Sequence, residues 1–277
     1  MLVTLKHILQ IAEAKQFAVG SFNTTGLECI EAVLGAAEEL NVPVVLMHAQ
    51  IHEEMGLCKL DTIGRVMRLM AERASVPVAV HLDHGTDLAY IHRALDLGFT
   101  SVMYDGSNLP YEENLANTCV AVELAARTGA SVEAEIGSMG VRDCAPDDPA
   151  NLYTDPAAAQ RFTAASGIDA LACAFGTVHG IYLKQPKLDL ARLAEIDRLV
   201  DRPLVMHGGS GNSDDDYRAV IARGVRKINY YTYMAKAGGA AAAACADPTY
   251  FHDIARTATA AMQANVRHAM AVFSGKE

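Results

Sequence analysis

Basic residues are scarce: 23 Lys and Arg stand against 33 Asp and Glu in 277 residues, a formal net charge of −10. Binding to polyphosphate or to an anionic membrane surface relies on clustered Lys and Arg. Nucleic acid and membrane are therefore not expected partners, and any phosphate must be gripped locally. The six cysteines form no C-x-x-C pair, and a chain of this size has no need of disulfide staples, which fits a reducing compartment. No apolar run suits a bilayer span. The longest uncharged stretch, Ala170 to Leu183, contains His179 and several glycines and falls short of the about 18 apolar residues required. The first residues include Lys6, Glu13 and Lys15, not the unbroken apolar stretch of a signal peptide. A soluble, cytoplasmic protein is expected. Also missing are a G-x-G-x-x-G turn after the first strand, where a dinucleotide fold would carry one, and any linker or low-complexity hinge.

With 51% hydrophobic and 20% charged residues, the chain can bury a sizeable core, and global disorder is excluded. Short β-branched or apolar runs recur at Phe17–Asn23, Pro43–Ala49, Val78–Asp83, Ser101–Gly106, Ser131–Gly137, Ala170–Gly176, Pro203–Gly209 and Lys227–Thr232. Helix signals lie between them. Thr25-x-x-Glu28 reads as a capping box, Asp155-Pro156 as N-cap and first helical residue, and Ser213 as a cap before an acidic turn. Gly98, Gly129 and Gly224 stand where helices end. Alternating strands and helices imply parallel strands with right-handed crossovers, and eight such units suggest closure. The predicted architecture is a (β/α)8 TIM barrel in one domain over residues 1–277, with a helical tail from about 234 to 277. An open doubly wound sheet is the alternative.

In a barrel of this type the C-terminal strand ends form the active face. Strand three ends His81-Leu82-Asp83-His84-Gly85, strand four Tyr104-Asp105-Gly106, and strand five carries Glu133-Ala134-Glu135. Strand six ends Gly176-Thr177-Val178-His179-Gly180, strand seven Met206-His207-Gly208-Gly209-Ser210-Gly211, and strand eight carries Lys227-Ile228-Asn229. Histidines 84, 179 and 207 come from different strands. Imidazoles converging on a rim can form a three-nitrogen metal site with one position open, which suits zinc. Asp105 and Glu135 are alternative ligands or neighbours of the ligands. Asp83 and His84 point to opposite faces of a regular strand, so both reach one cavity only if the strand ends between them, which Gly85 favours. Asp83 then orients a ligand or acts as acid or base. The Gly208–Gly211 turn offers bare N–H groups for a phosphate. The other histidines, His52 among them, read as structural, with His48 left open. The polar segment from Gly137 to Asn151 is the one long loop with functional promise.

Taken together, Gly20-Ser21-Phe22-Asn23, His81–Gly85, Ser101–Ser107, Ser131–Gly137, Leu152–Pro156, Gly176–Gly180, His207–Gly211 and Lys227–Asn229 make the chain resemble the class II, zinc-dependent ketose-bisphosphate aldolases. It resembles especially the tagatose- and fructose-bisphosphate aldolase group, and the resemblance covers nearly the whole chain. It implies reversible cleavage of fructose or tagatose 1,6-bisphosphate to dihydroxyacetone phosphate and glyceraldehyde 3-phosphate. It assigns one zinc per subunit to His84, His179 and His207, proton removal from the C4 hydroxyl to Asp83, and proton delivery to Asp143 on the loop after strand five. Asn23, Gly180, Lys184, Gly208, Gly209, Ser210, Asn229, Tyr230, Tyr231 and Thr232 would hold substrate and its phosphate. A monovalent cation is a candidate second ion, and relatives form dimers or tetramers.

The chain departs from its relatives in the substrate half. Ala49 stands at the end of strand two where they carry Ser or Thr, and Tyr230-Tyr231-Thr232-Tyr233 replaces smaller or acidic residues around Thr232. A related substrate such as 6-phospho-5-dehydro-2-deoxygluconate is the alternative within the class. Outside it stand a non-catalytic sugar-phosphate binding protein and a metal-dependent hydrolase, although a hydrolase on this barrel usually shows a His-x-His pair on its first strand, which this chain lacks.

Overall fold

The structure is a computed structural model describing residues 1–137, 153–182 and 186–277. Eight strands, β1 (Val19–Asn23), β2 (Val44–Ala49), β3 (Val78–Gly85), β4 (Ser101–Tyr104), β5 (Ser131–Ile136), β6 (Ala170–Cys173), β7 (Leu204–Met206) and β8 (Val225–Tyr230), pair in sequence order as parallel neighbours. β8 pairs back onto β1, with Ser21 opposite Asn229, and the sheet closes into a barrel. The (β/α)8 expectation holds. Several strands are shorter than expected: β6 stops at Cys173 and β7 at Met206, so His179 and His207 lie beyond the sheet, on the loops that follow.

The barrel interior is sorted by the two-residue period of a strand. Near its N-terminal mouth the inward side chains are Val19, Val45, Ala79, Ala170, Ala172 and Val205, and Leu5, Ile8 and Leu9 of helix α1 (Leu5–Lys15) pack against them as a plug. Further along, the inward positions become His81, Ser101, Glu133 and Lys227, all fully buried. A larger apolar layer lies between the strands and the helices outside. Among those helices, α2 (Leu27–Leu40), α3 (Gln50–Glu54) and α5 (Leu88–Asp96) bear on the site, as do α9 (Asp214–Ile221), α10 (Thr232–Ala244) and α11 (Phe251–Ser274), while α4 (Leu60–Arg73), α6 (Tyr111–Ala126), α7 (Pro156–Ser166) and α8 (Leu190–Leu199) lie elsewhere around the barrel. Helix α11 lies on α2 and α10, and its Phe273 carbonyl accepts a hydrogen bond from Ala18 at the foot of β1. No described helix is long and apolar enough to cross a membrane.

Local signals fared unevenly. Ser213 and Asp216 form a reciprocal capping box on α9, and Asp155 caps the helix that begins at Pro156. Gly98, Gly129 and Gly224 all take positive φ just past helix ends. The Thr25–Glu28 capping box is not there: α2 starts at Leu27 with Gly26 as its cap and no side-chain hydrogen bond. The Thr25 hydroxyl lies near Cys29 Sγ instead, because the chain leaving β1 turns one residue later than a Thr25 cap would require.

Candidate metal centre and substrate cavity

The C-terminal mouth of the barrel opens into a cavity of about 870 Å³, within the range of small-molecule sites. Asn23, Asp83, His84, Asp105, Glu135, His179, Gly180, Gly208, Ser210, Asn229, Tyr230, Tyr231 and Thr232 all line it. Of the residues expected from sequence, Asp143 and Lys184 lie outside the described residues. Gly209 does not line the cavity. Its N–H is donated to the Asn229 carbonyl at 3.0 Å, so it has no amide to offer a phosphate. His48 is set back from the cavity as well: it is buried, with Nε2 bonded to the Tyr90 hydroxyl at 2.9 Å and Nδ1 facing Cys58.

The way in which β3 delivers two successive side chains differs from the sequence expectation. The strand does not end between Asp83 and His84 but runs on to Gly85. Its register with β4 slips between Leu82 and Gly85, and His84 itself takes a φ of 47°. This is a bulge with the extra residue in the left-handed region, and it turns the imidazole to the same side as Asp83. Gly85 serves a different purpose from the one expected. A Cβ there would stand 2.9 Å from the Met103 carbonyl oxygen, so only glycine lets the bulge lie flat on β4.

Three imidazole nitrogens meet at the rim. His84 Nε2 is 3.2 Å from His179 Nε2 and 2.9 Å from His207 Nδ1, and the three lie within 4.8 Å of one another. Nitrogens that face a common point from three directions, with the outer ring atoms held elsewhere, fit a divalent cation with nitrogen preference. Two of the outer atoms are held by carboxylates. His84 Nδ1 meets Asp105 Oδ2 at 2.6 Å, and the other Asp105 oxygen accepts from the Ser107 hydroxyl and N–H. His207 Nε2 meets Glu133 Oε1 at 2.8 Å. Carboxylates behind imidazoles fix the tautomer and the ring plane, which leaves His207 to present Nδ1 and the other two Nε2. A second grouping, His84, Asp105 and Glu135, also brings ligand atoms within reach of one cation.

Charge in this region is arranged to keep Asp83 ionised. Burial alone would raise its pKa, but His84, His207 and Lys227 hold it well below the usual carboxylate range. Both oxygens also accept amide hydrogen bonds, from Asn23 Nδ2 at 3.0 Å and Asn229 Nδ2 at 3.1 Å. Glu135 goes the other way: burial, reinforced by Asp105, raises its pKa well above the ordinary value and favours its protonated form. Burial would lower the His84 pKa, yet Asp83, the hydrogen bond to Asp105 and Glu135 push it up to about 10. A cation would take the place of that proton.

Two participants were not expected from sequence. Glu133 and Lys227 form a fully buried ion pair at 2.9 Å inside the barrel, and Lys227 Nζ also donates to Asn229 Oδ1 at 2.8 Å. Glu133 thus ties His207 to the lysine, and the lysine ties down Asn229. Each lies two residues before a recognised rim residue, Glu135 or Asn229, and the two-residue period of a strand puts both members of each pair on the same face. Glu133→Gln should weaken the affinity for a divalent cation by roughly 10- to 100-fold, the range for loss of such tethers, measured by chelator competition. Unchanged affinity would show that Glu133 does not position His207.

Residues 3–277 match the family described as Fructose-bisphosphate aldolase class-II. The chain is 42% identical to the probable fructose-bisphosphate aldolase of Bacillus subtilis (strain 168), across 83% of this chain and 81% of that protein. It is 41% identical to the D-tagatose-1,6-bisphosphate aldolase subunit GatY of Klebsiella oxytoca, across 84% and 82%. The crystal structure of the YdjI aldolase from Escherichia coli K12 superposes with a TM-score of 0.89 at 32% identity, covering 99% of this chain and 97% of that one.

Proposed function

The chain belongs to the class-II fructose-bisphosphate aldolase family, and from that premise we propose that it is an aldehyde-lyase cleaving the C3–C4 bond of a ketose 1,6-bisphosphate. Fructose or tagatose 1,6-bisphosphate would yield dihydroxyacetone phosphate and glyceraldehyde 3-phosphate. The observation that carries the reading is the ionised Asp83, held by Asn23 and Asn229 beside three convergent imidazole nitrogens. A zinc ion held by His84, His179 and His207 would supply Lewis-acid polarisation of the ketose carbonyl.

The remaining chemistry falls to the chain's own groups. Asp83 accepts the C4 hydroxyl proton while the C3–C4 bond breaks; the aldehyde forms at C4, and the bonding electrons stay with the dihydroxyacetone phosphate half. Asn23 and Asn229 fix the carboxylate, and the Asn229 amide also reaches substrate hydroxyls. Protonation of the triose phosphate at its hydroxymethyl carbon completes the turnover, and Asp143 is the proposed carrier of that proton. Gly180, Gly208, Ser210 and Thr232 line the cavity beside the start of α10, where N–H groups and the helix dipole favour the phosphate, with Lys184 as a further proposed contact. The same reading takes the enzyme to be a cytoplasmic homo-oligomer.

The test is a coupled assay for triose phosphate release from a panel of ketose mono- and bisphosphates. The expected result is cleavage that a chelator abolishes and added zinc restores. Cleavage by rigorously metal-free protein would sink the metal assignment, and binding without turnover would point to a sugar-phosphate sensor.

A further inference from the structure

Ala49, the last residue of β2, is buried against the cavity and offers it only a methyl group. His52, on α3, lines the same cavity at 6% exposure. Its Nδ1 is screened from solvent and has no hydrogen-bond partner. That screening extends to the cavity, so a ligand seated there can meet the ring only through Nε2. The ring is held in place. The Tyr231 ring packs against it with centroids 5.2 Å apart, and His48 abuts it at 6.3 Å.

Tyr231 is anchored in turn. Its N–H donates to Ser210 Oγ at 2.9 Å, and it stands at the N-cap of α10, whose first residue, Thr232, lines the cavity. The contact between the two rings therefore joins the segment after β2, across β1, to the mouth of α10, where Gly208, Ser210 and the first helical turn present donors to an anion. Among the described residues lining the cavity there is no Lys or Arg, so each neutral donor matters to a phosphate held there. Burial lowers the His52 pKa, which leaves a neutral ring with one N–H to give.

We propose that His52 is a specificity-determining residue of this chain, hydrogen-bonding the substrate phosphate seated at the start of α10, with Tyr231 as the residue that positions it. It supplies from α3 the polar contact that Ala49 at the end of β2 cannot make. The substrate named here rests on the aldolase reading; the phosphate contact does not.

The test uses the zinc-loaded full chain, titrated calorimetrically with inorganic phosphate and with dihydroxyacetone phosphate. Compared are the wild type, His52→Ala, His52→Gln, and His52→Ala combined with Ala49→Ser. Loss of one hydrogen bond to a charged group should weaken both ligands about tenfold in His52→Ala. The Gln side chain and the added Ser hydroxyl should each recover part of that loss. In cleavage assays KM should rise by a similar factor while kcat falls less. Unchanged phosphate affinity in folded, metal-loaded His52→Ala would overturn the proposal. So would a loss that neither the Gln nor the Ser variant recovers, which would mark a packing role. If the wild type binds phosphate but cleaves no ketose phosphate, the aldolase reading fails, and the titrations still decide on His52.

Discussion

His207→Ala should strip the metal and the activity together: bound zinc falling from about one per chain to below about a tenth, and cleavage by roughly a thousandfold or more. The reason lies in the number of donors. With His207 gone, two imidazoles remain on the rim, and a catalytic zinc site is ordinarily built from three protein ligands. The fold should survive, because Glu133 keeps its partner: Lys227 stays 2.9 Å away, so no buried charge is left alone. Elemental analysis of the purified variant, circular dichroism and a triose-phosphate assay check the three parts separately. His92→Ala, on the exposed side of α5 where the imidazole is 54% accessible, is the matching control and should change none of them. A His207→Ala protein that retains stoichiometric zinc would remove this residue from the ligand set.

Asp83→Asn should act on the chemistry and leave the metal in place. The three nitrogens are untouched, so zinc content should stay at wild-type level, while cleavage falls by about 10²- to 10⁴-fold with the loss of the base. The substitution also turns one carboxylate oxygen into an NH₂ group that faces the Asn23 or Asn229 amide donor, which adds to the loss through misorientation. A second measurement separates Asp83 from Asp143. Exchange of the hydroxymethyl proton of dihydroxyacetone phosphate with solvent involves no C4 hydroxyl, so it should persist in Asp83→Asn and be slowed in Asp143→Asn. Proton NMR in heavy water reads it directly. If Asp83→Asn loses zinc in step with activity, the carboxylate is a support for the ligands and not the base.

Much of this site could be read from the chain because strand ends are local features. A short apolar run followed by glycine marks where a strand stops, and a barrel then gathers all such ends on one rim; His84, His179 and His207 were legible for that reason. The bulge in β3 was not. A φ of 47° at His84 follows from how β3 sits on β4, and no pattern in His81–Gly85 distinguishes a strand that ends from one that slips. The pair Glu133 and Lys227 was hidden differently. Charged residues read as solvated, and only closure of the barrel, which brings β5 and β8 within side-chain reach across its interior, makes them partners. The capping box misread at Thr25 is the reverse case, a correct local signal overruled by the path of the chain out of β1. His52 reads as an ordinary helical residue until α3 is seen to fold over the mouth.

The left-handed backbone of His84 sets the stability of the protein against its purpose. For a residue with a Cβ that conformation is strained by about 1–3 kcal/mol, and glycine would occupy it without penalty. Drift under selection for folding alone would favour losing the imidazole at this position, and with it the metal centre. A histidine that persists there across descendants of this chain is therefore a record of continued selection for catalysis, whatever happens to the residues that choose the substrate.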